Sequence, residues 1–185
     1  MDALYQLSYN GIVYIISGIS IAKLTGTVNT HMNLINHPAP EFTLPDQNSQ
    51  THALTHYRGQ FVLLYFYPKD DTPGCTTEAC SFRDQLNDLK KFGVQVLGVS
   101  ADTVESHQKF ADKFHLNFPL LADITKEVAK AYGVWMEKSM YGKKYMGIQR
   151  DSFLIDKNGV IIKHYEKIKP ATHVADVIAD TKNLP

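Results

Sequence analysis

An unbroken run of strand-forming residues, FVLLYFY at positions 61–67, constrains the fold of this chain more than any other feature. The run shows no alternation of polar and apolar residues, so it predicts a strand that is buried on both faces. Such strands are typical of α/β folds, in which helices cover both sides of a largely parallel sheet. The chain has 185 residues, 44% of them hydrophobic, which is enough for one domain with a core around this strand.

Helical and strand patterns alternate after position 67. Phe82, Leu86 and Leu89 recur at helical spacing and predict a helix over residues 76–92 that ends at Gly93. Asp102 with a glutamate three residues later predicts a capping box that opens a helix reaching residue 114. The other predicted elements are strands at 94–100, 118–121, 152–155 and 160–166, helices at 126–132 and 172–182, and extended segments at 41–44 and 51–56.

This order of elements predicts the α/β class and a thioredoxin-like fold. We expect a central mixed sheet with helices on both faces and an N-terminal β-hairpin built from the two extended segments. In open α/β sheets the functional site lies beyond the carboxyl ends of the strands. The sequence therefore places the chemistry in residues 68–80, directly after the buried strand.

The charge balance gives no indication of a polyanionic partner. Nineteen Lys and Arg residues offset nineteen Asp and Glu residues, for a formal net charge of zero. We therefore expect neither a nucleic-acid partner nor a membrane partner. Two cysteines are too few for a secreted disulfide scaffold, and we expect a cytoplasmic protein. We also expect this protein to be a monomer.

The first 31 residues differ from the rest, because residues 3–22 carry no charge. The segment before the apolar run has Asp2 and no basic residue, unlike a signal peptide, and its polar residues and glycines make it marginal as a membrane span. Three alternatives remain: a start placed too early, with the protein beginning at Met32; an accessory segment; or a membrane or export element. We expect residues 1–31 to be an extension and residues 32–185 to be the domain.

Cys75 follows Pro73 and Gly74 at the point where the strand gives way to a helix. A thiol in the first helical turn meets unpaired backbone amides and the positive end of the helix macrodipole, which favour a thiolate. Thr72 can offer a hydroxyl to the thiolate or to a bound oxygen substrate. Cys75 is thus a candidate nucleophile; the alternative is an inert, buried cysteine.

Cys80 lies five positions after Cys75. In an intact helix, residues i and i+5 have Cα atoms about 8.7 Å apart, whereas a disulfide needs less than about 7 Å. If the two cysteines bond, the first helical turns must therefore unwind. A zinc site is disfavoured, because no second Cys or His pair stands at ligand spacing, and the histidines at positions 52, 56, 107, 115, 164 and 173 form no motif.

The sequence resembles the peroxiredoxins, and among them the Q type, also called bacterioferritin comigratory proteins. The family element P-x-x-x-T-x-x-C is present as Pro68, Thr72 and Cys75, and the second cysteine of the Q type matches Cys80 in TPGCTTEAC. The segment MYGKKYMGIQR before SFLIDKNGVI is similar to the one that carries the family's active-site arginine, here Arg150. Asp151 stands where a small hydroxyl residue is expected; adjacent strand residues point to opposite faces, so it need not neutralise the arginine.

The resemblance implies a thiol peroxidase that acts in antioxidant defence and redox homeostasis. Cys75 would attack hydrogen peroxide or an organic hydroperoxide and become a sulfenic acid. Thr72 and Arg150 would hold the peroxide oxygens, and Pro68 would shield the sulfenic acid from water. Cys80 would resolve it as a disulfide, which thioredoxin or a similar dithiol would reduce. No cofactor and no metal is implied.

Three other functions are compatible with a thioredoxin-like chain. A copper carrier would use two nearby thiols and a distant histidine, usually with three residues between the thiols, where this chain has four. A general disulfide oxidoreductase would have C-x-x-C. A pure interaction domain would leave the Thr-Pro-Gly-Cys turn without a purpose. Peroxide consumption with a dithiol donor separates these functions from a peroxidase.

Overall fold

The computed structural model describes residues 33–185 except 141, 183 and 185, and three strands in the segment before them. The contacts divide the chain into two units, residues 1–32 and residues 33–185. The first unit contains an antiparallel meander in the order β1-β2-β3. Its strands are β1 Tyr5–Tyr9, β2 Ile12–Ser17 and β3 Ser20–Leu24. The rest of the predicted extension lies outside the described residues.

The second unit is built on a five-stranded mixed sheet in the order β12-β11-β6-β7-β8. Strands β6, β7 and β8 are parallel, while β11 runs antiparallel to both β6 and β12. A short hairpin of β4 and β5 and a second hairpin of β9 and β10 lie outside this sheet. The strands are β4 Thr43–Pro45, β5 Thr51–Ala53, β6 Phe61–Phe66, β7 Val94–Ser100, β8 Leu120–Ala122, β9 Trp135–Met140, β10 Lys143–Ile148, β11 Ser152–Ile155 and β12 Ile161–Tyr165.

Helices cover both faces of this sheet. They are α1 Pro73–Lys91, α2 Val104–Phe114, α3 Glu127–Ala131 and α4 His173–Thr181. Leu63 and Tyr65 of β6 pack on one face with residues of α1, α2 and α4, and Val62 and Leu64 pack on the other face with residues of α3. The predicted thioredoxin-like architecture, with its buried strand at the centre and its N-terminal hairpin, is therefore confirmed.

Strand β6 is buried along its whole length, as the apolar run predicted. The ring of Tyr65 lies over the neighbouring strand, where a Cβ added to Gly98 would stand 2.8 Å from the ring and the hydroxyl. Glycine at this position lets an aromatic side chain lie flat against the sheet. The close packing fixes the carboxyl end of β6, from which the functional loop departs.

Several element boundaries differ from the prediction. Helix α1 begins at Pro73 rather than at residue 76, because proline fits the first helical position, where no amide hydrogen is needed. The residues after β5 form a 3-10 turn, Leu54–Tyr57, instead of extending the strand to residue 56. Strand β8 starts at Leu120 instead of residue 118. The hairpin of β9 and β10 was not predicted.

The predicted capping box at Asp102 is wrong. The N-cap of α2 is Thr103, whose hydroxyl accepts a hydrogen bond from the Ser106 amide. The Asp102 carboxylate is not the cap of α2. It accepts hydrogen bonds from the Ser100 hydroxyl and the Asp70 amide. The carboxylate therefore ties β7 to the loop after β6 and does not cap the helix.

No helix in the described part of the chain is both long enough and apolar enough to cross a membrane.

Candidate active site

Cys75 lies in the first turn of α1, at the carboxyl end of the central strand. Thr72 is the N-cap, and the first helical bond runs from the Thr76 amide to the Thr72 carbonyl at 2.8 Å. The amides of Gly74 and Cys75 precede that bond, so they have no partner within the helix. The Cys75 side chain is buried, being 2% exposed. The thiol therefore lies at the end of the hydrophobic core and not on the surface.

Arg150 supplies the cation at this thiol. Its Nη2 donates to Cys75 Sγ across 3.0 Å, although the two residues are 75 positions apart in sequence. The backbone carbonyl of Arg150 accepts from the Ile168 amide, which anchors the arginine just before β11. Burial lowers the pKa of Arg150, but the charges of Glu78 and Cys75 outweigh it and raise that pKa. The guanidinium is thus a permanent positive charge directed at the sulfur.

A buried carboxylate orients this guanidinium. Glu78 lies one turn after Cys75 in α1, is fully buried, and forms a short ion pair through Oε2 with Nη1 of Arg150. Its other oxygen, Oε1, accepts from Nδ1 of His173, 2.9 Å away at the start of α4. Because a buried carboxylate is costly unless it is paired and hydrogen-bonded, both contacts stabilise it. The contacts form a row from Cys75 through Arg150 and Glu78 to His173.

Thr72 and Pro68 lie close to the nucleophile in sequence but do not bond to it here. The Thr72 hydroxyl donates to the Lys69 carbonyl at 3.1 Å. Pro68 directly follows the buried Tyr67 and is exposed to solvent. The structure therefore joins Arg150 to Cys75 and leaves Thr72 and Pro68 as neighbours on the same loop.

Cys80 occupies the same helix as Cys75. It is partly buried, and both cysteines are free thiols. Both lie within the continuous span of α1, so the ideal-helix separation of about 8.7 Å between their Cα atoms applies. A disulfide between them requires a change in the first turns of α1.

Sequence reasoning missed the cluster that holds the loop between β6 and α1. The buried carboxylate of Asp70 accepts from the Tyr67 hydroxyl at 2.7 Å and from the Ser106 hydroxyl at 2.7 Å, and it contacts Nδ1 of His107 at 2.9 Å. The next residue, Asp71, has a left-handed backbone with φ of 52°. Since His107 lies 37 positions away on α2, no local sequence signal could have linked it to the loop.

Asp151 directly follows Arg150, but its carboxylate makes its hydrogen bonds with other residues. Its carboxylate accepts from Nε2 of Gln149 and from the Lys167 amide, and it pairs with His164 at 3.0 Å. Burial raises the pKa of Asp151, but these hydrogen bonds outweigh it and hold that pKa below its ordinary value. The expectation that Asp151 need not neutralise Arg150 therefore agrees with its contacts.

Lys138 of β9 adds a second cation near the site. Its ammonium group donates to the Ile148 carbonyl. Burial, reinforced by the positive charge of Arg150, lowers the pKa of this lysine. The unpredicted hairpin thus brings a lysine close enough to Arg150 for the two positive charges to repel each other.

Among the residues that the structure describes, no three His, Cys, Asp or Glu side chains are grouped so that they could hold a metal ion.

Comparison with known proteins places this geometry in a family. Residues 35–164 match the model of the AhpC/TSA family. The chain is 51% identical over 135 residues to the peroxiredoxin Bcp of Escherichia coli, covering 73% of this chain and 86% of the relative. It is 45% identical over 150 residues to the peroxiredoxin Bcp of Bacillus subtilis, covering 81% and 96%.

Solved structures agree with the sequence relatives. Peroxiredoxin Q of Xanthomonas campestris superposes with a TM-score of 0.73 at 39% identity, over 76% of this chain and 89% of that one. The peroxidoxin BcpB of Mycobacterium tuberculosis gives a TM-score of 0.72 at 30% identity, over 82% and 97%. The relatives are thiol peroxidases by name, and the chain carries the strand, loop and helix that position its own thiol. This chain therefore belongs to the AhpC/TSA family, as a peroxiredoxin of the Bcp or Q type.

Proposed function

We propose that this peroxiredoxin reduces hydrogen peroxide and organic hydroperoxides with Cys75 as the nucleophile. The observation that carries the proposal is the 3.0 Å contact from Arg150 Nη2 to Cys75 Sγ at the start of α1. A cation at the sulfur and the unpaired amides of the first helical turn favour a thiolate, which is the attacking form of cysteine. The bacterioferritin comigratory protein of Xanthomonas campestris, a structural neighbour, has alkyl peroxide reduction activity, which supports organic hydroperoxides as substrates.

The chemical step transfers one oxygen atom to sulfur. The thiolate of Cys75 attacks the nearer peroxide oxygen, the O–O bond breaks, and the electron pair leaves with the far oxygen as hydroxide or alkoxide. That oxygen takes a proton and departs as water or alcohol, while the sulfur becomes a sulfenic acid. Arg150 and the amides of Gly74 and Cys75 stabilise the negative charge as it moves from sulfur to oxygen.

Thr72 and Pro68 complete the site in this proposal. The Thr72 hydroxyl now donates to the Lys69 carbonyl, and rotation about χ1 turns it toward a bound peroxide oxygen. We assign Pro68, which has no amide hydrogen to bind water, the role of shielding the sulfenic acid.

Cys80 is the proposed resolving residue. Its thiol attacks the sulfur of the sulfenic acid, releases water and forms the Cys75–Cys80 disulfide. The first turns of α1 unwind in this step, which exposes the disulfide to a thioredoxin-type dithiol that returns both thiols. We place this cycle in a cytoplasmic monomer with no nucleic-acid or membrane partner and no cofactor.

Two cysteine variants test the proposal. In Cys75→Ser, peroxide consumption should fall to the uncatalysed rate, with an unchanged circular dichroism spectrum. In Cys80→Ser, one equivalent of peroxide should still be consumed and sulfenic acid should accumulate, and excess peroxide should convert it to sulfinic acid. Rates are measured in stopped flow, and products by mass spectrometry after trapping with dimedone.

The outcomes distinguish the alternatives. Cys75→Ser protein that retains more than a third of the wild-type rate would contradict Cys75 as the nucleophile. Full steady-state turnover by Cys80→Ser with thioredoxin would contradict resolution by Cys80. Disulfide exchange activity with no peroxide consumption would indicate a general oxidoreductase instead.

A further inference from the structure

His173 is a buried histidine for which the peroxide reaction has no direct use. Its side chain is 1% exposed, and its ring lies edge-on to Phe82 of α1 at 5.3 Å and to Tyr165 of β12 at 5.5 Å between centroids. These two rings fix the orientation of the imidazole. Nδ1 then faces Oε1 of Glu78 at 2.9 Å, and buried Nε2 has no hydrogen-bond partner among the described residues.

The tautomer follows from these contacts. The carboxylate of Glu78 is paired with Arg150 and only accepts hydrogen bonds, so the hydrogen between Glu78 and His173 belongs to Nδ1. His173 is therefore a donor from the C-terminal helix into the middle of α1. Its hydrogen bond goes to Glu78 and not to the sulfur or to Arg150, so it acts on the site through Glu78.

The contact between His173 and Glu78 acts on the helical segment between the two cysteines. Glu78 lies between Cys75 and Cys80, inside the segment that must unwind before the two sulfurs can bond. A carboxylate held by Arg150 on one side and His173 on the other keeps that segment in its helical form. Unwinding must break the contacts of Glu78 with Arg150 and His173. The free energy of these contacts therefore adds to the cost of opening the helix.

We propose that His173 is a positioning residue which, by holding Glu78, keeps the first turns of α1 folded and so sets how long the Cys75 sulfenic acid persists before Cys80 reaches it. The part concerning Cys80 rests on the proposed function. A firm hold gives a long-lived sulfenic acid that a second peroxide molecule can oxidise to sulfinic acid, whereas a weak hold gives rapid disulfide formation. The contact between α4 and α1 thus controls the competition between resolution and irreversible oxidation.

Two substitutions separate the hydrogen bond from the packing of the ring. His173→Leu keeps an apolar side chain of similar volume between Phe82 and Tyr165 but removes the donor. His173→Asn keeps a donor near the position of Nδ1 but removes the ring. If the hydrogen bond is what matters, the leucine variant is the disturbed one; if the packing is what matters, the asparagine variant is.

The first measurement uses reduced protein and needs no peroxide. Hydrogen exchange of the amides in residues 76–83 should be about ten-fold faster in His173→Leu, the scale expected for losing a hydrogen bond to a charged group. In His173→Asn it should stay within about two-fold of wild type. Should the leucine variant not fold, His173→Phe, which keeps a ring and removes the donor, takes its place.

The second measurement follows one turnover by quenching, alkylation and mass spectrometry. The conversion of sulfenic acid to the Cys75–Cys80 disulfide should be about ten-fold faster in His173→Leu, with proportionally less sulfinic acid at excess peroxide. The formation of sulfenic acid should change by less than about three-fold, because the Arg150–Glu78 pair remains. A variant that is merely destabilised would not accelerate one step of the reaction while leaving the other alone.

Two results would overturn the proposal. One is equal protection of residues 76–83 in wild type and His173→Leu; the other is faster exchange or resolution in His173→Asn than in His173→Leu. If wild-type protein forms sulfenic acid but no Cys75–Cys80 disulfide, the resolving step of the proposed function has failed, and the exchange measurement still decides whether His173 holds the helix.

Discussion

At the scale of single residues, the site depends on charges that only the folded chain brings together. Arg150 reaches Cys75 from 75 positions away, and His173 reaches Glu78 from 95 positions away. The motif identified Cys75 and Arg150 because both stand in recognisable strings of residues. His173 and Glu78 stand in no string that indicates their contact, so their roles came from the structure.

Arg150 should determine the rate of the chemical step. Arg150→Ala removes the donor to the sulfur and to the developing oxyanion, and a fall of about 10²–10³-fold in the second-order rate with peroxide is expected. Arg150→Lys should recover part of the loss, because it restores the charge without the forked geometry. Arg58→Ala, which removes an exposed arginine paired with Glu41, is the control and should leave the rate unchanged. Stopped-flow rates for Arg150→Ala within three-fold of wild type would contradict this role.

Asp151 should make the fold sensitive to acid. Its pKa is held low in the folded protein, so its stabilising effect is present above the unfolded value of about 3.9 and is lost as the pH falls through the folded value. The stability difference between wild type and Asp151→Asn should therefore narrow below about pH 4. Urea unfolding at pH 7, 5 and 3.5 measures it, with the exposed Asp88→Asn as control. If the difference in unfolding free energy between wild type and Asp151→Asn stays constant over this pH range, Asp151 does not cause the sensitivity to acid.

At the scale of elements, the sequence was informative wherever burial imposed a pattern. The continuous apolar run identified β6, and the helical spacing of Phe82, Leu86 and Leu89 identified α1. The hairpin of β9 and β10 was missed because most of its described side chains face solvent, for example Tyr145 and Met146, which are 45% and 49% exposed. The ribbon reaches the core at the end formed by Trp135 and Ile148, and the mostly exposed residues beyond it show no alternation for the sequence to reveal.

Asp102 and Thr103, two neighbours at the start of α2, have similar capping ability but different contacts. Thr103→Ala removes the side-chain acceptor for the Ser106 amide and should cost about 1 kcal/mol of unfolding free energy, with little change in the peroxide rate. Asp102→Ala should act on the loop instead, because its carboxylate holds the Asp70 amide. Urea titration and single-turnover rates of both variants give the comparison. A larger rate defect in Thr103→Ala than in Asp102→Ala would reverse this assignment.

At the scale of the whole molecule, the contacts separate residues 1–32 from residues 33–185. The uncharged N-terminal segment predicts an extension over residues 1–31 and a domain over residues 32–185, and this stays a prediction; the sequence gave no sign of the three strands there. The second unit contains both faces of the core, and the family match spans residues 35–164. Every residue of the proposed site lies in this unit.

A chain that begins at Met32 should therefore be fully active. We expect its melting temperature to lie within about 3 °C of the full-length value, which is the shift that about 1 kcal/mol causes in a domain of this size. Its peroxide rate should be within two-fold of the full-length rate. Calorimetry and stopped flow on both chains provide the test. Loss of the cooperative transition in the shorter chain would show that the first unit is needed for folding.

The side chain of Gln47 covers backbone groups at one edge of the five-stranded sheet. Its amide donates to the Phe118 carbonyl at 3.1 Å, and its oxygen accepts from the Leu120 amide at 2.8 Å. These are bonds that a further strand would make with β8, the edge of the five-stranded sheet. Because one glutamine already occupies these two groups, a strand from a second molecule cannot pair with them, which protects this part of the edge against pairing from chain to chain.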